Sequence, residues 1–538
     1  MPLVSQTFDQ LLDFTRTTSG TFVGSNGLVQ TTPASVNLLL WTQQFDNAAW
    51  AKTGTTVTAN TTAAPDGTST ADTLTASAGA SIHRVGIGAG VTLAISNSCT
   101  HSIYVKAGSY NFVQIHDGAS GSYFVNFNLT TGVVGTSANC TATITDVGNG
   151  WYRCTMSFTV AVANPIIALG LVSSASAARN ESWTAAGTET VFIWGAQTEA
   201  SATATTYTRN NGGVFPPRFD YDPVTLAPKG ILIEEQRVNL LTYSNDFTNG
   251  VWAKVSATLT TGISDPAGGT SATTVTATAL SAIQQAPTIA TGTYSISVWI
   301  RRRTGTGQVS LRCGDLTLIP ITVTSSWVRY TATAVATTTT VRLAVILDVS
   351  GDEVDIWGAQ LEAGAFATSY IPTVASQVTR TADICSIVAP NFAPWYNQSE
   401  GTFVVSVLAG PTSLTDAQTA LYVSDATAIN LINIRRNTAS NVASLLQTSG
   451  GSGAGLTPLS PVTSNSIYKN ATAYALNNAN SATNGTLATL DTVVSTPVVD
   501  RLFIGINPAG PVSCNGHIRS VTYYPVRLSD AQLQALTA

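Results

Sequence analysis

Hydrophobic and polar residues alternate along most of this chain, in short runs that are separated by turn-forming residues. The stretch at positions 151–159 reads WYRCTMSFT, so an apolar side chain occupies every second position. A period of two is typical of a β-strand that buries one face. Comparable runs follow one another at intervals of about 8–12 residues, which predicts an all-β fold of tandem β-sandwich (jelly-roll) domains.

Two phrases occur twice. NLLLWTQQFDNAAWAK begins at position 37 and NLLTYSNDFTNGVWAK at position 239, and each opens a stretch that closes on IWGAQ, at positions 193–197 and 356–360. The pattern predicts two related domains, at 37–209 and 239–383. The first is longer, and its segment 109–128 has no evident match in the second. Segments that differ between repeats are expected to be loops or edge strands.

Three other segments complete the chain. In 1–36, Phe8, Leu11 and Leu12 fall at helical spacing and predict a short amphipathic helix, followed by a hairpin that turns at Asn26-Gly27. That helix either packs locally or anchors the protein to a larger assembly. Residues 210–238 contain four prolines and form a linker. Residues 384–538 form a third β domain that ends in a short helix, capped by Ser529 and Gln532.

The composition of the chain argues against several classes of function. Only 10% of the residues are charged and the net charge is −5, so the chain lacks the basic surface that binds nucleic acid. The six cysteines form no CxxC pair, and we expect no metal, no cofactor and buried thiols. We also expect no signal peptide and no membrane insertion, and therefore synthesis in a cytoplasm.

The repeated phrases resemble the β-sandwich repeats of tailed-bacteriophage head-fibre, head-spike and tail-fibre proteins. This resemblance covers 37–209 and 239–383 and implies jelly rolls similar to carbohydrate-binding modules. The sequence GHIRSVTYYPVRLSDAQLQAL at 516–536 resembles the end of concanavalin A-like (laminin G-like) domains. It implies a lectin-like jelly roll at 384–538.

The resemblance also implies partners and a location. It implies a virion-surface protein that contacts other virion proteins, of capsid or tail, and that binds host surface glycans. By analogy with the fibre proteins of this family, we expect the protein to be a homo-oligomer, namely a trimer. In such proteins, segments like 14–32 and 217–241 are continuous, so we predict that 37–209 is an insertion and that 14–32 packs against 214–235. Two independent linkers are the alternative.

No catalytic motif stands in a suitable context, and we predict no enzymatic activity. Acid–base catalysis needs two carboxylates at a fixed separation in a cleft. The available carboxylates are Asp220 with Asp222, Glu234 with Glu235, and the group Asp352, Glu353 and Asp355. We expect a self-bonded turn for the first pair, and for the last group a solvated turn or a calcium site.

Glycan binding needs exposed aromatic faces and planar polar groups. The tryptophans of the shared phrases (Trp50, Trp252, Trp151, Trp327, Trp194 and Trp357) are expected in the cores, because both copies retain them. The candidate glycan-binding residues lie outside those phrases and are Tyr110, His116, Asp117, Tyr123 and Trp183. The interpretation is a structural virion fibre or decoration protein with a glycan-binding role. The alternatives are a tailspike-type glycan depolymerase and a cellular surface adhesin.

Overall fold

A computed structural model describes residues 12–118, 122–210, 213, 215–314, 318–339, 341–388, 391–411, 417–437, 442–448, 453–508 and 513–538. The chain divides into two compact units. Unit 1 comprises residues 1–17, 34–216 and 387–394, and unit 2 comprises 18–33, 217–386 and 395–538. The fold is all-β, as predicted, and the sheets are built from short antiparallel strands.

The first sandwich lies in unit 1 and contains two sheets. Sheet I has the order β11-β10-β9-β14-β7-β15, with β4 also paired to β7, and sheet II has the order β12-β13-β8-β16-β6-β5. Their apolar faces enclose one core, in which Trp50, Ile115 and Met156 are buried. The strands that precede and form this sandwich are β1 (Asp13–Thr15), β2 (Thr21–Val23), β3 (Val29–Thr31), β4 (Trp50–Thr53), β5 (Thr55–Thr62), β6 (Ala71–Ala76), β7 (Gly79–Ile87), β8 (Ser98–Ala107), β9 (Phe112–Asp117), β10 (Phe124–Asn128), β11 (Val133–Ala138), β12 (Thr141–Gly148), β13 (Trp151–Thr159), β14 (Ile167–Leu171), β15 (Ser182–Ala185) and β16 (Thr190–Glu199).

The second sandwich lies in unit 2 and repeats this plan with fewer strands. Its strands have the order β24-β23-β26-β21-β27-β22-β25, and β20 also pairs with β21. The long strand β21 pairs with β27 through its first half and with β26 through its second half, so it belongs to both layers. The strands are β17 (Arg218–Tyr221), β18 (Pro228–Ile233) and β19 (Arg237–Asn239) in the linker, and then β20 (Ala253–Ile263), β21 (Ala272–Gln285), β22 (Gly292–Thr304), β23 (Val309–Cys313), β24 (Leu318–Ile321), β25 (Val328–Ala336), β26 (Leu343–Leu347), β27 (Glu353–Ala363) and β28 (Val378–Arg380).

The third sandwich completes unit 2. One of its sheets has the order β17-β18-β39-β30-β35-β36-β37, and the other contains β29-β38-β31-β32-β33-β34. Helix α1 has Ser529 as N-cap with Gln532 in a capping box, and buried Leu533 packs it onto the first of these sheets, which confirms the prediction. The elements are β29 (Ile384–Ile387), β30 (Glu400–Leu408), β31 (Gln418–Ser424), β32 (Leu431–Arg436), β33 (Val442–Gln447), β34 (Ala454–Leu456), β35 (Ile467–Ala475), β36 (Asn480–Thr483), β37 (Thr486–Leu487), β38 (Arg501–Ile504), β39 (Gly516–Tyr524) and α1 (Asp530–Thr537).

One asparagine explains why the opening and closing phrases recur together. Asn37 donates from Nδ2 to the carbonyls of Ala196 (3.0 Å) and Thr208 (2.8 Å), and its Oδ1 accepts the N–H groups of Leu39 and Thr198. In the second sandwich, the buried Asn239 makes the same four bonds, to the carbonyls of Ala359 and Ile371 and from the N–H groups of Leu241 and Leu361. The amide therefore ties the first residues of each sandwich to its last strand.

The shared glycine of IWGAQ makes a bulge. Gly195 and Gly358 have φ values of 61° and 64°, and the register of the last strand shifts beside each of them. Glycine adopts such a φ without steric cost. The tryptophans of the shared phrases are buried as predicted, apart from Trp327, which is half-buried beneath the guanidinium of Arg301.

The N-terminal segment and the linker lie side by side, although about 200 residues separate them in sequence. Within unit 1, the N–H of Phe215 donates to the carbonyl of Arg16 (3.2 Å). Within unit 2, Arg218 donates to the carbonyl of Thr21 (3.1 Å). The linker contains regular secondary structure in spite of its Pro/Gly-rich sequence. Its hairpin β17–β18 extends a sheet of the third sandwich by pairing with β39.

The predicted N-terminal helix is not present where the structure describes the segment. Asp13–Thr15 is a strand, and Phe8 and Leu11 lie outside the described residues. Leu12, the third proposed anchoring residue, is 9% exposed. The predicted hairpin is confirmed, with β2 and β3 joined by a turn in which Gly27 has a φ of 77°.

Candidate functional site

The five predicted glycan-binding residues lie in three different places on the first sandwich. Tyr110 and Trp183 stack on each other at one end, with ring centroids 5.3 Å apart and an interplanar angle of 10°. Both are half-buried, and their polar atoms bond backbone carbonyls, those of Val172 and Leu171. The pair is a fixed aromatic surface at the rim of the core.

Asp117 and Tyr123 lie inside the sandwich. Asp117 is buried and accepts the N–H of Ile166 at 2.8 Å. Tyr123 stacks on Phe158 with centroids 4.5 Å apart and donates its hydroxyl to the carbonyl of Thr159. The alternation of β9 and β10 directs both side chains to the core face, together with Ile115.

His116 lies on the opposite face of sheet I, which we call the outer face. It shares this face with Gln114 on β9, because the intervening Ile115 belongs to the core. Register places two small residues of β14 beside them: Ala168 pairs with His116 and with Gly86, and Gly170 pairs with Gln114 and with Arg84. The outer face therefore has a floor of small residues between His116 and Arg84.

A loop, residues 172–181, is bonded to this face through buried amides. Gln114 donates to the carbonyl of Ala178 (3.0 Å) and to Asn126 Oδ1 (2.7 Å), and its Oε1 accepts the N–H of Asn180 (2.7 Å). Asn126 donates to the carbonyl of Ala177 (2.7 Å). Buried amides require such partners, so the loop is held in one position on the sheet.

Two arginines stand next to His116. Arg84 extends from β7, and Arg179 from the loop donates to the carbonyl of Asp117 at 2.6 Å. Burial, followed by the charges of Arg179 and Arg84, lowers the pKa of His116 to about 3. The imidazole is therefore neutral near pH 7, and among the described residues neither of its ring nitrogens has a hydrogen-bond partner.

The second sandwich provides an internal comparison. Strands β23, β26 and β21 have the same order as β9, β14 and β7, so paired residues can be matched. Ala344 pairs with Arg312 and Gln284, and Ile346 pairs with Ser310 and Ala282. Arg312 thus takes the place of His116, Ala282 that of Arg84, and Ile346 that of Gly170. The polar cluster of the outer face is confined to the first of the two related sandwiches.

This match corrects the comparison made from sequence. Segment 109–128 is not missing from the second sandwich, because hairpin β23–β24 occupies the place of β9–β10. Among the described strands, β11, β12 and β15 have no counterpart in the second sandwich. The divergence of side chains on equivalent strands concealed the match.

The acidic candidates form ion pairs. Asp355 accepts from Arg301 (2.8 Å) and Arg303 (3.1 Å), and Asp352 accepts from Arg302 (2.9 Å). These intrachain pairs replace the expected solvated turn or calcium site. Within the described residues, no group of three or more His, Cys, Asp or Glu side chains could hold a metal ion, and no helix is long and apolar enough to cross a membrane.

The other two acidic pairs also have structural partners. Asp222 accepts the N–H groups of Val224 (3.0 Å) and Thr225 (2.8 Å), which confirms the predicted self-bonded turn. Asp220 accepts from His517 at 2.7 Å. Glu234 is buried against Arg218, at 2.8 Å.

Comparisons with known proteins give similarities of fold over part of the chain. No protein-family model and no curated protein sequence matches it. Among solved structures, the CBM40 domain of the Ruminococcus gnavus IT-sialidase is 20% identical, with a TM-score of 0.25, over 28% of this chain and 89% of that one. The tandem CBM22 domains of Xyn10C from Paenibacillus barcinonensis are 11% identical, with a TM-score of 0.23, over 62% and 99%. Domains LG4-5 of the mouse laminin alpha1 chain are 10% identical, with a TM-score of 0.21, over 46% and 86%.

Proposed function

We propose that this protein is a non-catalytic virion-surface protein of a tailed bacteriophage, and that it binds host surface glycans through the outer face of its first sandwich. Support for the virion location comes from the repeated phrases, which resemble those of phage fibre and spike proteins. Support for binding comes from the outer face. The proposal gives the shared phrases a structural role and assigns recognition to positions at which the two sandwiches differ.

One observation carries the binding proposal. Gln114, Asn126 and His116 are buried polar side chains on the outward face of a sheet, at positions where a sandwich needs no apolar packing. Gln114 and Asn126 hold the loop 172–181 on this face, and His116 stands beside them on rigid strands, where an imidazole is suited to a sugar hydroxyl. The related second sandwich conserves the framework but has Ser310, Arg312 and Ile346 on the matching face.

The test is a glycan array with the full chain, supplemented by oligosaccharides from the surface of a susceptible host. Gly170→Ile introduces the side chain that the second sandwich carries at the matching position. A Cβ at Gly170 would meet its nearest atoms, the His83 carbonyl and the Arg84 Cβ, at 3.4 and 3.8 Å, so the strand has room for the Cβ, and an unchanged circular dichroism spectrum must show that the longer side chain leaves the fold intact. We expect Gly170→Ile to abolish binding and the matched control Ile346→Val to retain it. Equal binding by both variants would refute the site.

Two further measurements address the remaining parts of the proposal. Incubation with host polysaccharide should release no shorter oligosaccharides, and release would identify a depolymerase. Binding of the purified chain to purified capsids and to purified tails would locate the protein on the virion. Binding to neither would contradict the virion proposal and leave the glycan site to be judged by the array alone.

A further inference from the structure

The guanidinium of Arg84 on the outer face has no carboxylate partner among the described residues. The single hydrogen bond of the Arg84 guanidinium among the described residues goes to Asn180 Oδ1, at a long 3.4 Å. No ion pair in the described part of the chain includes Arg84. A second guanidinium, that of Arg179, stands close by and bonds a carbonyl oxygen, that of Asp117.

The neighbouring His116 also has unsatisfied hydrogen-bonding groups. His116 is 1% exposed, and both of its ring nitrogens lack a hydrogen-bond partner in the part of the chain that the structure describes. A buried polar group without a partner destabilises a fold, so such a group needs an explanation. Nothing in the second sandwich reproduces the combination, since Ala282 stands where the first sandwich has Arg84. Two independent observations, an unpaired cation and an unpartnered buried imidazole, therefore meet on one face.

We propose that the ligand of the outer face is an acidic glycan, and that Arg84 binds a carboxylate of that glycan next to Arg179 and His116. This inference rests on the proposed function and specifies its substrate class. The planar guanidinium of arginine donates two parallel hydrogen bonds to a carboxylate, which a neutral hydroxyl cannot accept in the same way. The neutral imidazole of His116 supplies one donor and one acceptor for a sugar group beside that carboxylate.

The experiment uses an array that pairs each uronic-acid oligosaccharide with its carboxyl-reduced, neutral form, together with dextran sulfate as a polyanion without sugar carboxylates. We expect the full chain to bind acidic members and to discriminate against the reduced forms. Arg84→Gln should weaken binding about tenfold to a hundredfold, because a charge-assisted hydrogen bond is lost. Arg84→Lys should recover only part of this loss, since lysine keeps the charge without the two-pronged geometry. Arg312→Gln, which removes an arginine from the face of the second sandwich at the place that matches His116, should change nothing.

The outcomes separate this inference from the proposed function. Equal binding of acidic and reduced members, abolished by Gly170→Ile, would overturn the acidic-ligand inference and leave glycan binding intact. Equal binding to dextran sulfate would also overturn it, because charge alone would then explain the attraction. Binding of acidic members that Arg84→Gln leaves unchanged would overturn the assignment of Arg84. Absence of binding to every acidic and neutral member would overturn both proposals.

Discussion

The stability of unit 2 should depend on a buried network of four charges. Arg218 bonds Glu234 (2.8 Å) and Asp383, and Arg380 stands 3.5 Å from Glu234 and 3.8 Å from Asp383. All four side chains are buried. Arg218 also donates to Ser369 Oγ (2.6 Å), so the network connects the linker to the closing phrase of the second sandwich. We take Arg218→Gln as the perturbation.

The expected cost follows from the charge balance. The network holds two positive and two negative groups, and the substitution leaves two buried carboxylates with one cation. Removing one partner of a buried ion pair costs about 3–5 kcal/mol, against about 0–1 kcal/mol for an exposed pair. Arg501 with Asp500 is such an exposed pair, with side chains 31% and 50% exposed, so Arg501→Gln is the matched control. Replacing Arg218 by Met and Glu234 by Gln together restores the balance and should recover part of the loss.

Native-state hydrogen exchange is the appropriate assay, because a chain with several domains does not unfold in one step. The N–H of Glu234 bonds Asp383 Oδ2 (2.9 Å), and the N–H of Val23 bonds Asp220 Oδ1 (2.6 Å). Protection of the peptides that carry them should fall about a hundredfold to a few thousandfold in Arg218→Gln, as 3–5 kcal/mol requires. A change no larger than that of Arg501→Gln, or no recovery in the double variant, would refute the reasoning.

Three other predictions concern pH and the shared phrases. Burial raises the pKa of Asp72 from 3.8 to about 6. The first sandwich should therefore be most stable below pH 4 and lose about 3 kcal/mol of stability as pH rises through 6. Calorimetry from pH 4 to 7 should show this slope in the wild type, and an equal slope in Asp72→Asn would contradict it. The stability of unit 2 should respond to pH in the opposite direction, because the charges of Arg380 and Arg218 overcome burial and hold the pKa of Glu234 below its ordinary 4.5. The stabilisation by Glu234 is present above pH 4.5 and should fall on acidification. Hydrogen-exchange protection that is unchanged between pH 7 and 3 would contradict this. Gly195→Ala and Gly358→Ala should each cost about 1–2 kcal/mol, measured by native-state hydrogen exchange of the strand that carries the glycine, because φ is positive and a Cβ would lie 3.0 Å from Tyr104 or 2.8 Å from Trp299. Gly148→Ala, which has a positive φ and open space, is the control for the steric part, and an equal loss in all three variants would contradict the steric contribution.

The strands and the two related sandwiches were predictable, because they follow from local sequence patterns and from repetition. Alternation identified the strands, and the recurrence of Asn37 and Asn239 with their IWGAQ partners marked two domains of one kind. The tryptophans that both copies retain were expected in the cores, because retention in both copies indicates a packing role. What each asparagine bonds was not predictable, because three of its four partners lie more than 100 residues away and all are backbone atoms that have no sequence signature.

The outer face was only partly predictable. His116 was singled out, but Arg84 was not, because it comes beside His116 through strand pairing between segments more than 30 residues apart. Gln114 was also missed, although it lies two residues from His116 on the same strand and alternation places both on one face. Alternation was the available signal: Arg84 follows the core-facing His83 and precedes the core residue Val85, so its side chain must leave the core. Arg179 belongs to a loop, and no periodicity indicates where a loop lies on a sheet.

Duplication makes the comparison of equivalent positions more informative than either sandwich alone. Where both copies keep a residue, as with Asn37 and Asn239, the structure shows the same buried bonds in both, and folding explains the conservation. Where paired strands keep their register but change their side chains, as from Gly170 to Ile346 and from Arg84 to Ala282, folding imposes no such demand. Among the described residues, the first sandwich alone combines an imidazole without a hydrogen-bond partner with an arginine at the position of Arg84, where the second sandwich has Ala282. This asymmetry supports our proposal that recognition lies on sheet I of the first sandwich and not in the phrases that the two sandwiches share.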